Sequence, residues 1–468
     1  MPTTVPTERR PHLLYVAWGF PPSRTGGVHR ALATVNAFAA DGWDVTVLTA
    51  PREVFRDVTG ADPRLETLVD PRVDVRRLPF SWPAQQTDLR RWPAWRVLFP
   101  RLWATVRKRR DLRAFPEVGY GPWRTALERA ALAVHAARPV DLVIATTNPE
   151  VAVTAGVRLR AAAGVPYVVD YRDAWSLHTY SGRRRHAPDS PVGRWEARSL
   201  GGAAEVWLVN EPLRRWHAEA YPALAGRLHV VMNGYDRDLP AGLARVPAPD
   251  EPLRFGYLGT MTHVVPLSEF VAGWRRGRET APAVAAASAL LRGYLGYYAA
   301  PDPGLAAIVD AAADAGVAYG GPVPKTEVTG TYAALNVLLF LLGGGEYVTS
   351  GKVFEYMSTG LPIVSVITPG CAAAEVLAGY PRWHPAPDLA PDTVAAALAA
   401  AADDARADDA PARAAAARAF ATRFRRDRQL APRIAALRSL VGADPAADPD
   451  AHPSTDPAPA GPSPEAVR

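Results

Sequence analysis

The sequence predicts an α/β protein made of two doubly wound, Rossmann-like domains. Short apolar runs typical of buried strands alternate with amphipathic helical patterns through most of the 468 residues. A stretch rich in Pro, Asp and Ala interrupts the alternation at 237–252. Strands that alternate with helices form parallel βαβ units. We therefore expect one domain at 11–236, a linker at 237–252 and a second domain at 253–425.

The first domain is predicted to open with a buried strand, a glycine-containing loop and a helix. The strand is expected at Leu13–Trp18 and the helix at Val28–Ala40. Further apolar runs typical of strands lie at Val45–Thr49, Leu142–Ala145, Tyr167–Asp170, Val206–Val209 and His229–Met232. Helical patterns between them cover Trp123–Ala137, Val151–Ala163 and Val192–Leu200.

The second domain repeats the alternation. Its predicted strands are Leu253–Leu258, Leu290–Tyr294, Leu335–Leu342 and Ile363–Ile367, and helices fill the chain from Val394 to Leu440. The last of these is a C-terminal helix at 426–441. The ends of the chain, 1–10 and 442–468, are polar or rich in Ala, Asp and Pro, so they are predicted to be disordered.

Composition narrows the class of protein. A single cysteine, Cys371, excludes an intramolecular disulfide framework. No run of about 18 apolar residues predicts a transmembrane helix, and no segment resembles a signal peptide. The expected location is the cytoplasm, at the inner face of the membrane if the basic stretch described below contacts lipid.

The stretch Ser350-Gly351-Lys352-Val353-Phe354-Glu355 is the most informative feature of the chain. It opens a predicted helix, where unpaired N–H groups and the helix dipole favour an anion. Lys352 adds a positive charge, and Glu355 lies on the same face one turn later. Cation and amides suit a diphosphate, and the carboxylate suits ribose hydroxyls. The alternative is an ordinary surface pair worth ~0.3 kcal/mol.

Two further segments lie where predicted strands end. Gly26-Gly27 would let the backbone approach a ligand, although a tight turn without a ligand is the alternative. The absence of G-x-G-x-x-G argues against a dinucleotide-dependent dehydrogenase. The second segment is Asp170–Trp175, with His178 a few residues later. Arg172 could bind a phosphate or a carboxylate, and Asp173 could bind sugar hydroxyls. His178 could donate to a sugar hydroxyl or to a developing oxyanion. Alternatively, an Asp–Arg pair only shapes this loop and His178 is exposed.

These segments together resemble glycosyltransferase family 4, whose members have the GT-B fold and retain anomeric configuration. Ser350–Met357, with Gly360 and Pro362, resembles the donor-binding signature of the family. Other similar segments follow the expected order and are Phe20–Pro22 with Gly26, Gly27 and Arg30, Gly42–Thr49, Asp170–Trp175 and Asn233–Asp236. The resemblance implies two domains facing a central cleft, with the acceptor on the first and the nucleotide sugar on the second. It also implies catalytic roles for Lys352, Arg172, Asp173 and His178.

The sequence departs from the family at two places. Many members carry two glutamates with seven residues between them, but here Tyr347 stands at the first position and Glu346 beside it. Many also carry an Arg and a Lys after the first strand of the second domain. That place holds Gly259-Thr260 and His263, which we expect at the donor site. His263 either replaces the missing cations or is an exposed loop histidine.

A basic aromatic stretch, 88–115, has no counterpart in these segments. It holds nine Arg or Lys against two Asp, with Trp92, Trp95, Phe99 and Trp103 among them. Three interpretations stay open: a solvated insertion whose tryptophans pack on the first domain, a contact with an anionic membrane, or a nucleic-acid surface. Pro93 and Pro100 interrupt any long amphipathic helix, and no pattern indicates a nucleic-acid-reading module.

The expected function is a retaining hexosyltransferase that uses a UDP-sugar and a hydroxyl acceptor in bacterial glycan, glycolipid or secondary-metabolite biosynthesis. The leaving diphosphate would assist the reaction, so no cofactor and no metal are expected, and no His, Asp or Glu cluster has ligand spacing. The alternatives are a catalytically silent GT-B scaffold protein, a nucleotide-sugar epimerase, or a pseudo-glycosyltransferase.

Overall fold

The computed structural model describes residues 9–236, 246–248, 250–296, 301–324 and 327–442. The predictions of a disordered N-terminus at 1–10, a linker at 237–252 and a disordered tail at 442–468 lie largely outside these residues.

The first domain is built on a sheet of seven parallel strands. In chain order they are β1 His12–Val16, β2 Asp44–Thr49, β3 Asp74–Arg77, β4 Leu142–Thr146, β5 Tyr167–Tyr171, β6 Glu205–Leu208 and β7 Leu228–Val230. The spatial order is β3-β2-β1-β4-β5-β6-β7. It reverses between β1 and β4, which pair in register from Leu13 opposite Leu142. Loops that diverge at such a switch point leave a crevice at the carboxyl edge of the sheet.

The second domain has a sheet of six parallel strands. These are β8 Arg254–Leu258, β9 Ser288–Arg292, β10 Val317–Tyr319, β11 Val337–Leu342, β12 Ile363–Ile367 and β13 Trp383–Pro385. Their spatial order, β10-β9-β8-β11-β12-β13, reverses between β8 and β11. The prediction of two doubly wound α/β domains is therefore confirmed, and each sheet has its own switch point.

Helices cover both faces of the sheets. Those of the first domain are Val28–Ala40, Arg52–Val54, Ala94–Leu98, Pro100–Ala114, Trp123–Ala137, Thr154–Ala163, Pro191–Gly201 and Glu211–Ala220. Those after β8 are Leu267–Thr280, Pro282–Ala285, Pro303–Asp310, Val328–Ala333, Lys352–Thr359, Ala372–Leu377, Pro391–Arg406, Ala410–Ala421 and Arg426–Gly442. A short two-stranded ribbon, Leu177–His178 with Arg183–Arg184, follows β5.

The last helix returns to the first domain. Leu430, Ile434 and Leu437 are buried in the cluster that also contains Phe38 and Trp43. On the way, the chain runs beside the segment that leaves the first domain. The Tyr235 amide donates to the Phe424 carbonyl at 3.2 Å, and the Arg426 amide donates to the Tyr235 carbonyl at 3.0 Å. The two domains are thus joined by two adjacent crossings.

Gly234 lies at this crossing and has to be glycine. Its φ is +58°, in the left-handed region, and a Cβ there would overlap the Phe424 carbonyl oxygen. The Asn233–Asp236 turn therefore serves the passage between the domains.

Candidate functional site

The start of the Lys352–Thr359 helix holds a cation and a carboxylate side by side. Lys352 Nζ donates to Glu355 Oε2 at 3.0 Å, and the hydroxyl of Tyr332 donates to the same oxygen at 3.3 Å. Tyr332 is completely buried, so one partner of the carboxylate is fixed. The Lys352 and Glu355 side chains remain 38% and 28% exposed. A ligand can therefore reach both.

Ser350 and Gly351 complete this helix start. The Lys352 amide donates to Ser350 Oγ at 3.3 Å, and Gly351 stands at the N-cap position without a side-chain cap. The Val353 amide donates to the Ser350 carbonyl at 3.3 Å, so these two first-turn amides hold only long bonds to Ser350, which an anion can replace. The arrangement presents one ammonium and a set of N–H donors to an anion.

Tyr356 anchors the same helix to the end of β8. Its hydroxyl accepts from the Leu258 amide at 2.7 Å and donates to the Leu258 carbonyl at 3.1 Å. Burial raises the pKa of Tyr356 well above its usual range, so the hydroxyl stays neutral and fills both roles. Gly259 and Thr260 follow Leu258 directly, and this anchor places them next to the Lys352 helix.

On the first domain, Gly27 and Arg172 are in direct contact. Gly27 is the N-cap of the Val28–Ala40 helix, and the Arg172 guanidinium lies against it in the space that a Cβ would fill. Arg172 Nη2 donates to the Thr147 carbonyl at 2.8 Å. The glycine loop after β1 and the segment after β5 therefore meet at the switch point of the first sheet.

This contact predicts different outcomes for two glycine-to-alanine substitutions. Gly27→Ala places a methyl group where the guanidinium lies, so Arg172 must move, whereas a methyl at Gly201 meets no atom within 4 Å. Because misplacement of a reacting group by ~1 Å can cost 10²-fold, we expect Gly27→Ala to lower turnover at least about tenfold. Gly201→Ala, at an exposed glycine of the Pro191–Gly201 helix, is the control and should stay near the native rate. Equal rates for both variants would contradict a role for Arg172.

Asp173 and His178 lie on the same side of the cleft. Asp173 Oδ2 accepts from Asn148 Nδ2 at 2.8 Å. His178 Nδ1 accepts from the Ser181 amide at 3.1 Å, so in the neutral ring the hydrogen is assigned to Nε2. That nitrogen can donate to a sugar hydroxyl or to an oxyanion.

Contacts between the domains bring the two halves of the site face to face. Arg24, beside the glycine loop, donates from Nη2 to the Tyr294 hydroxyl at 2.9 Å. Asn210 donates from Nδ2 to the Tyr347 carbonyl at 3.0 Å and to Thr349 Oγ1 at 3.1 Å. The loop before Lys352 is therefore held against the first domain.

The structure shows where the residues lie at which the sequence departs from the family pattern. His263 is 73% exposed, and its Nε2 contacts Asp302 Oδ2 at 2.9 Å. Asp302 also caps the Pro303–Asp310 helix. No contact among the described residues brings His263 to Lys352 or Glu355. Tyr347 packs its ring against the core of the first domain, and Glu346 beside it is exposed.

Comparison with known proteins identifies the first domain. Residues 25–234 match the family described as "Glycosyl transferase 4-like domain". Nearly the whole first domain is therefore similar to this family. This stretch carries Gly26, Gly27, Arg172, Asp173 and His178, and the assignment to a family-4-like protein agrees with the resemblance read from the sequence. The chain matches no curated protein.

Solved structures similar to this chain show its overall fold. A glycosyltransferase from Rickettsia africae has 10% identity and a TM-score of 0.63, covering 93% of this chain and 100% of that one. Sucrose-phosphate synthase from Thermosynechococcus elongatus has 16% identity and a TM-score of 0.60, with the same coverages. The Anabaena protein HepE in complex with UDP and glucose has 15% identity and a TM-score of 0.54, covering 91% and 99%. The fold is GT-B, as predicted.

Several residues of the two domains were not predicted as parts of the site. Tyr332 on Glu355, Asn210 on the Tyr347 loop, and Tyr294 on Arg24 act through contacts between distant parts of the chain. Asn210 alone had a sequence signal, since Asn followed by Glu-Pro is typical of a helix N-cap. No sequence signal indicated that the Asn210 side chain also donates across the cleft to the Tyr347 carbonyl.

Two acids of the first domain, the buried Glu150 and the half-buried Glu117, lie close together, and Glu150 is near Arg172. Glu117 accepts from the Glu150 and Val151 amides at 3.1 and 2.9 Å. Burial raises the pKa of Glu117 to about 7. Burial, together with the negative charges of Glu117 and Glu196, raises the pKa of Glu150 well above its usual range. Both carboxyl groups can therefore carry protons in neutral solution.

The raised pKa of Glu117 predicts a pH-dependent stability. Between the ordinary carboxyl value and about pH 7, the folded state keeps a proton that the unfolded chain releases. Stability should therefore fall as pH rises through this window, by up to about 1.4 kcal/mol per pH unit for this group. Urea unfolding at several pH values should show a smaller slope for Glu117→Gln, with exposed Glu279→Gln as the control. An unchanged slope in Glu117→Gln would contradict the assignment.

No group of His, Cys, Asp and Glu among the described residues could hold a metal ion. The side chains that the structure offers to a ligand at the cleft are cations, amides, hydroxyls and single carboxylates.

Proposed function

We propose that this protein is a retaining glycosyltransferase that moves a hexosyl group from a UDP-sugar to a hydroxyl acceptor. The observation that carries the proposal is the pair of Lys352 and Glu355, 3.0 Å apart at the open start of a helix. A diphosphate needs a cation such as Lys352, and the ribose hydroxyls need a hydrogen-bond acceptor such as Glu355. The glycosyl transferase 4-like domain opposite supports glycosyl transfer.

In the proposed donor complex, the diphosphate binds at Ser350, Gly351 and Lys352. The first-turn amides donate to its oxygens, and Lys352 Nζ moves from Glu355 to the phosphates. Glu355 then accepts from the ribose hydroxyls while Tyr332 keeps its carboxylate in place. Gly259 and Thr260, which directly follow β8, are proposed to line the same opening, and His263 lies further along that loop.

The reaction needs no nucleophile from the protein. The bond between the anomeric carbon and the diphosphate oxygen breaks, and the acceptor oxygen bonds to the same carbon on the same face. The acceptor proton passes to the leaving diphosphate. Lys352 and the amides stabilise the charge that develops on the diphosphate, and the two domains orient the substrates.

The first domain supplies the acceptor side of the proposed site. Arg172 lies against Gly27 at the helix start, and Asp173 and the Nε2 hydrogen of His178 provide an acceptor and a donor for sugar hydroxyls. Arg172, Asp173 and His178 all follow β5, whereas Gly27 belongs to the loop between β1 and the Val28–Ala40 helix.

UDP is the proposed nucleotide of the donor because HepE, a protein of the same fold, is described in complex with UDP and glucose. We further propose that no metal and no cofactor take part, since Lys352 and the helix-start amides neutralise the diphosphate in their place.

Incubation of the protein with UDP-, GDP- and ADP-sugars tests the proposal through release of the nucleotide. We expect UDP to be released from one UDP-sugar and the α or β configuration of its anomeric carbon to be kept in the product. The reaction should continue in excess EDTA. No release from any nucleotide sugar, or a product of inverted configuration, would overturn the proposal.

A further inference from the structure

The segment 88–115 forms a corner with exposed apolar side chains. The helices Ala94–Leu98 and Pro100–Ala114 meet there, and Pro93 and Pro100 stand at their starts. The apolar side chains at the corner are Val97, Leu98, Phe99, Leu102 and Val106, exposed by 58, 70, 59, 57 and 44%.

This corner is where exposed apolar surface is concentrated. Of the sixteen large apolar side chains that are exposed in the described part of the chain, eight lie between Leu89 and Leu112. Single exposed apolar residues are normal on soluble proteins, but a contiguous group marks a surface that contacts an apolar partner.

Cations surround the apolar corner. Arg101, Lys108, Arg109, Arg110 and Arg113 are exposed, and none of them pairs with a carboxylate within the residues that the structure describes. The stretch carries nine basic residues against two acidic ones. Its unneutralised charge therefore favours a partner that is anionic as well as apolar.

The corner is also held in shape from within. Arg96 is buried, its guanidinium lies 3.6 Å from the Trp92 ring centre and 4.4 Å from that of Trp103, and it donates to the Pro83 carbonyl at 2.6 Å. Trp92 and Trp103 thus pack on Arg96 and not in the main core of the first domain. Trp95 is 42% exposed. The interpretation in which the tryptophans pack on the first domain therefore does not account for Trp92, Trp95 and Trp103.

A cavity of about 880 Å³ lies behind the corner. Its walls include Trp103, Arg96 and Arg107 of the basic stretch and, earlier in the chain, residues 53, 54 and 56–58. The chain that follows these residues contacts the loop leading to Gly26, since the Arg24 amide donates to the Gly60 carbonyl at 3.1 Å.

We infer that the surface of residues 95–113 docks on a lipid bilayer that contains anionic lipids. Val97, Leu98, Phe99 and Leu102 enter the boundary between head groups and acyl chains, while the surrounding Arg and Lys side chains contact lipid phosphates. Within the described residues no helix is long and apolar enough to cross a membrane, so the contact is peripheral. This inference does not rest on the proposed activity.

Sedimentation of the whole protein with vesicles tests the docking. One set of vesicles is phosphatidylcholine alone, and the other contains about one quarter phosphatidylglycerol. We expect binding to the anionic vesicles, weakening as salt is added, and little binding to the neutral ones. Equal binding to both sets, or none to either, would overturn the inference.

Two pairs of variants locate the surface. Leu98→Asp/Phe99→Asp and Arg109→Gln/Arg110→Gln should each weaken binding to anionic vesicles at least about tenfold. Their controls are Leu68→Asp/Leu440→Asp and Arg129→Gln/Arg158→Gln, which change exposed residues elsewhere. Equal losses in the controls would overturn the assignment of this surface. Binding to RNA that these variants abolish, without binding to vesicles, would replace it by a nucleic-acid site.

Discussion

Replacing Arg30 by alanine is expected to lower the free energy of unfolding by about 3–5 kcal/mol. Arg30 is 6% exposed and Asp170 is completely buried. The guanidinium donates to both carboxylate oxygens at 2.6 to 3.0 Å, and to the Val231 carbonyl at 2.8 Å. Alanine would leave the Asp170 carboxylate buried without its cation, and it would release β7 from the Val28–Ala40 helix.

Urea unfolding, followed by circular dichroism, measures this effect. Arg72→Ala is the control, since Arg72 forms an exposed pair with Asp70 and should cost less than about 1 kcal/mol. The double variant Arg30→Met/Asp170→Leu should be more stable than Arg30→Ala, because no buried charge is left unpaired. A change below 1 kcal/mol in Arg30→Ala would contradict this account of the switch point.

Replacing Lys352 by alanine is expected to slow glycosyl transfer roughly 100-fold, which corresponds to about 3 kcal/mol of barrier. Lys352 is the cation at the start of its helix, and the departing diphosphate would lose its main charge partner. The same change should alter stability by only about 0.3–0.5 kcal/mol, because Lys352 and Glu355 form an accessible pair three residues apart. A large loss of rate with little loss of stability separates a functional from a structural lysine.

Release of UDP from the donor, measured with and without acceptor, tests this prediction. Lys108→Ala is the matched control, since Lys108 is an exposed lysine of the Pro100–Ala114 helix. It should leave donor hydrolysis unchanged. A Lys352→Ala protein that releases UDP within threefold of the native rate would contradict the proposed role of this residue.

The centre of each sheet could be predicted from the sequence, whereas three of the four edge strands could not. Strands β1, β4 and β12 are buried along their whole length, so each appears as a continuous apolar run. The strands that the sequence did not predict are β3, β10 and β13, which stand at sheet edges with three or four residues each. Partial exposure removes the apolar pattern on which the prediction depends.

In the candidate site, contacts between residues close in the sequence could be predicted, and contacts between distant residues could not. The sequence placed Lys352 and Glu355 on one helix face because their spacing is local, and the structure finds them in contact. Tyr332 on Glu355, and Arg172 against Gly27, depend on how strands far apart in the sequence align. The sequence named Arg172 and Gly27 separately, yet their contact required the structure.

Calorimetric titration of UDP, GDP and ADP into the purified protein is the most direct test of the donor site. We predict that UDP binds and that Glu355→Ala weakens the affinity at least about tenfold, through loss of the ribose contact. Glu279→Ala, at an exposed glutamate of the Leu267–Thr280 helix, should bind UDP as the native protein does. Folded protein that binds none of the three nucleotides, or a Glu355→Ala variant with native affinity, would contradict the proposed site.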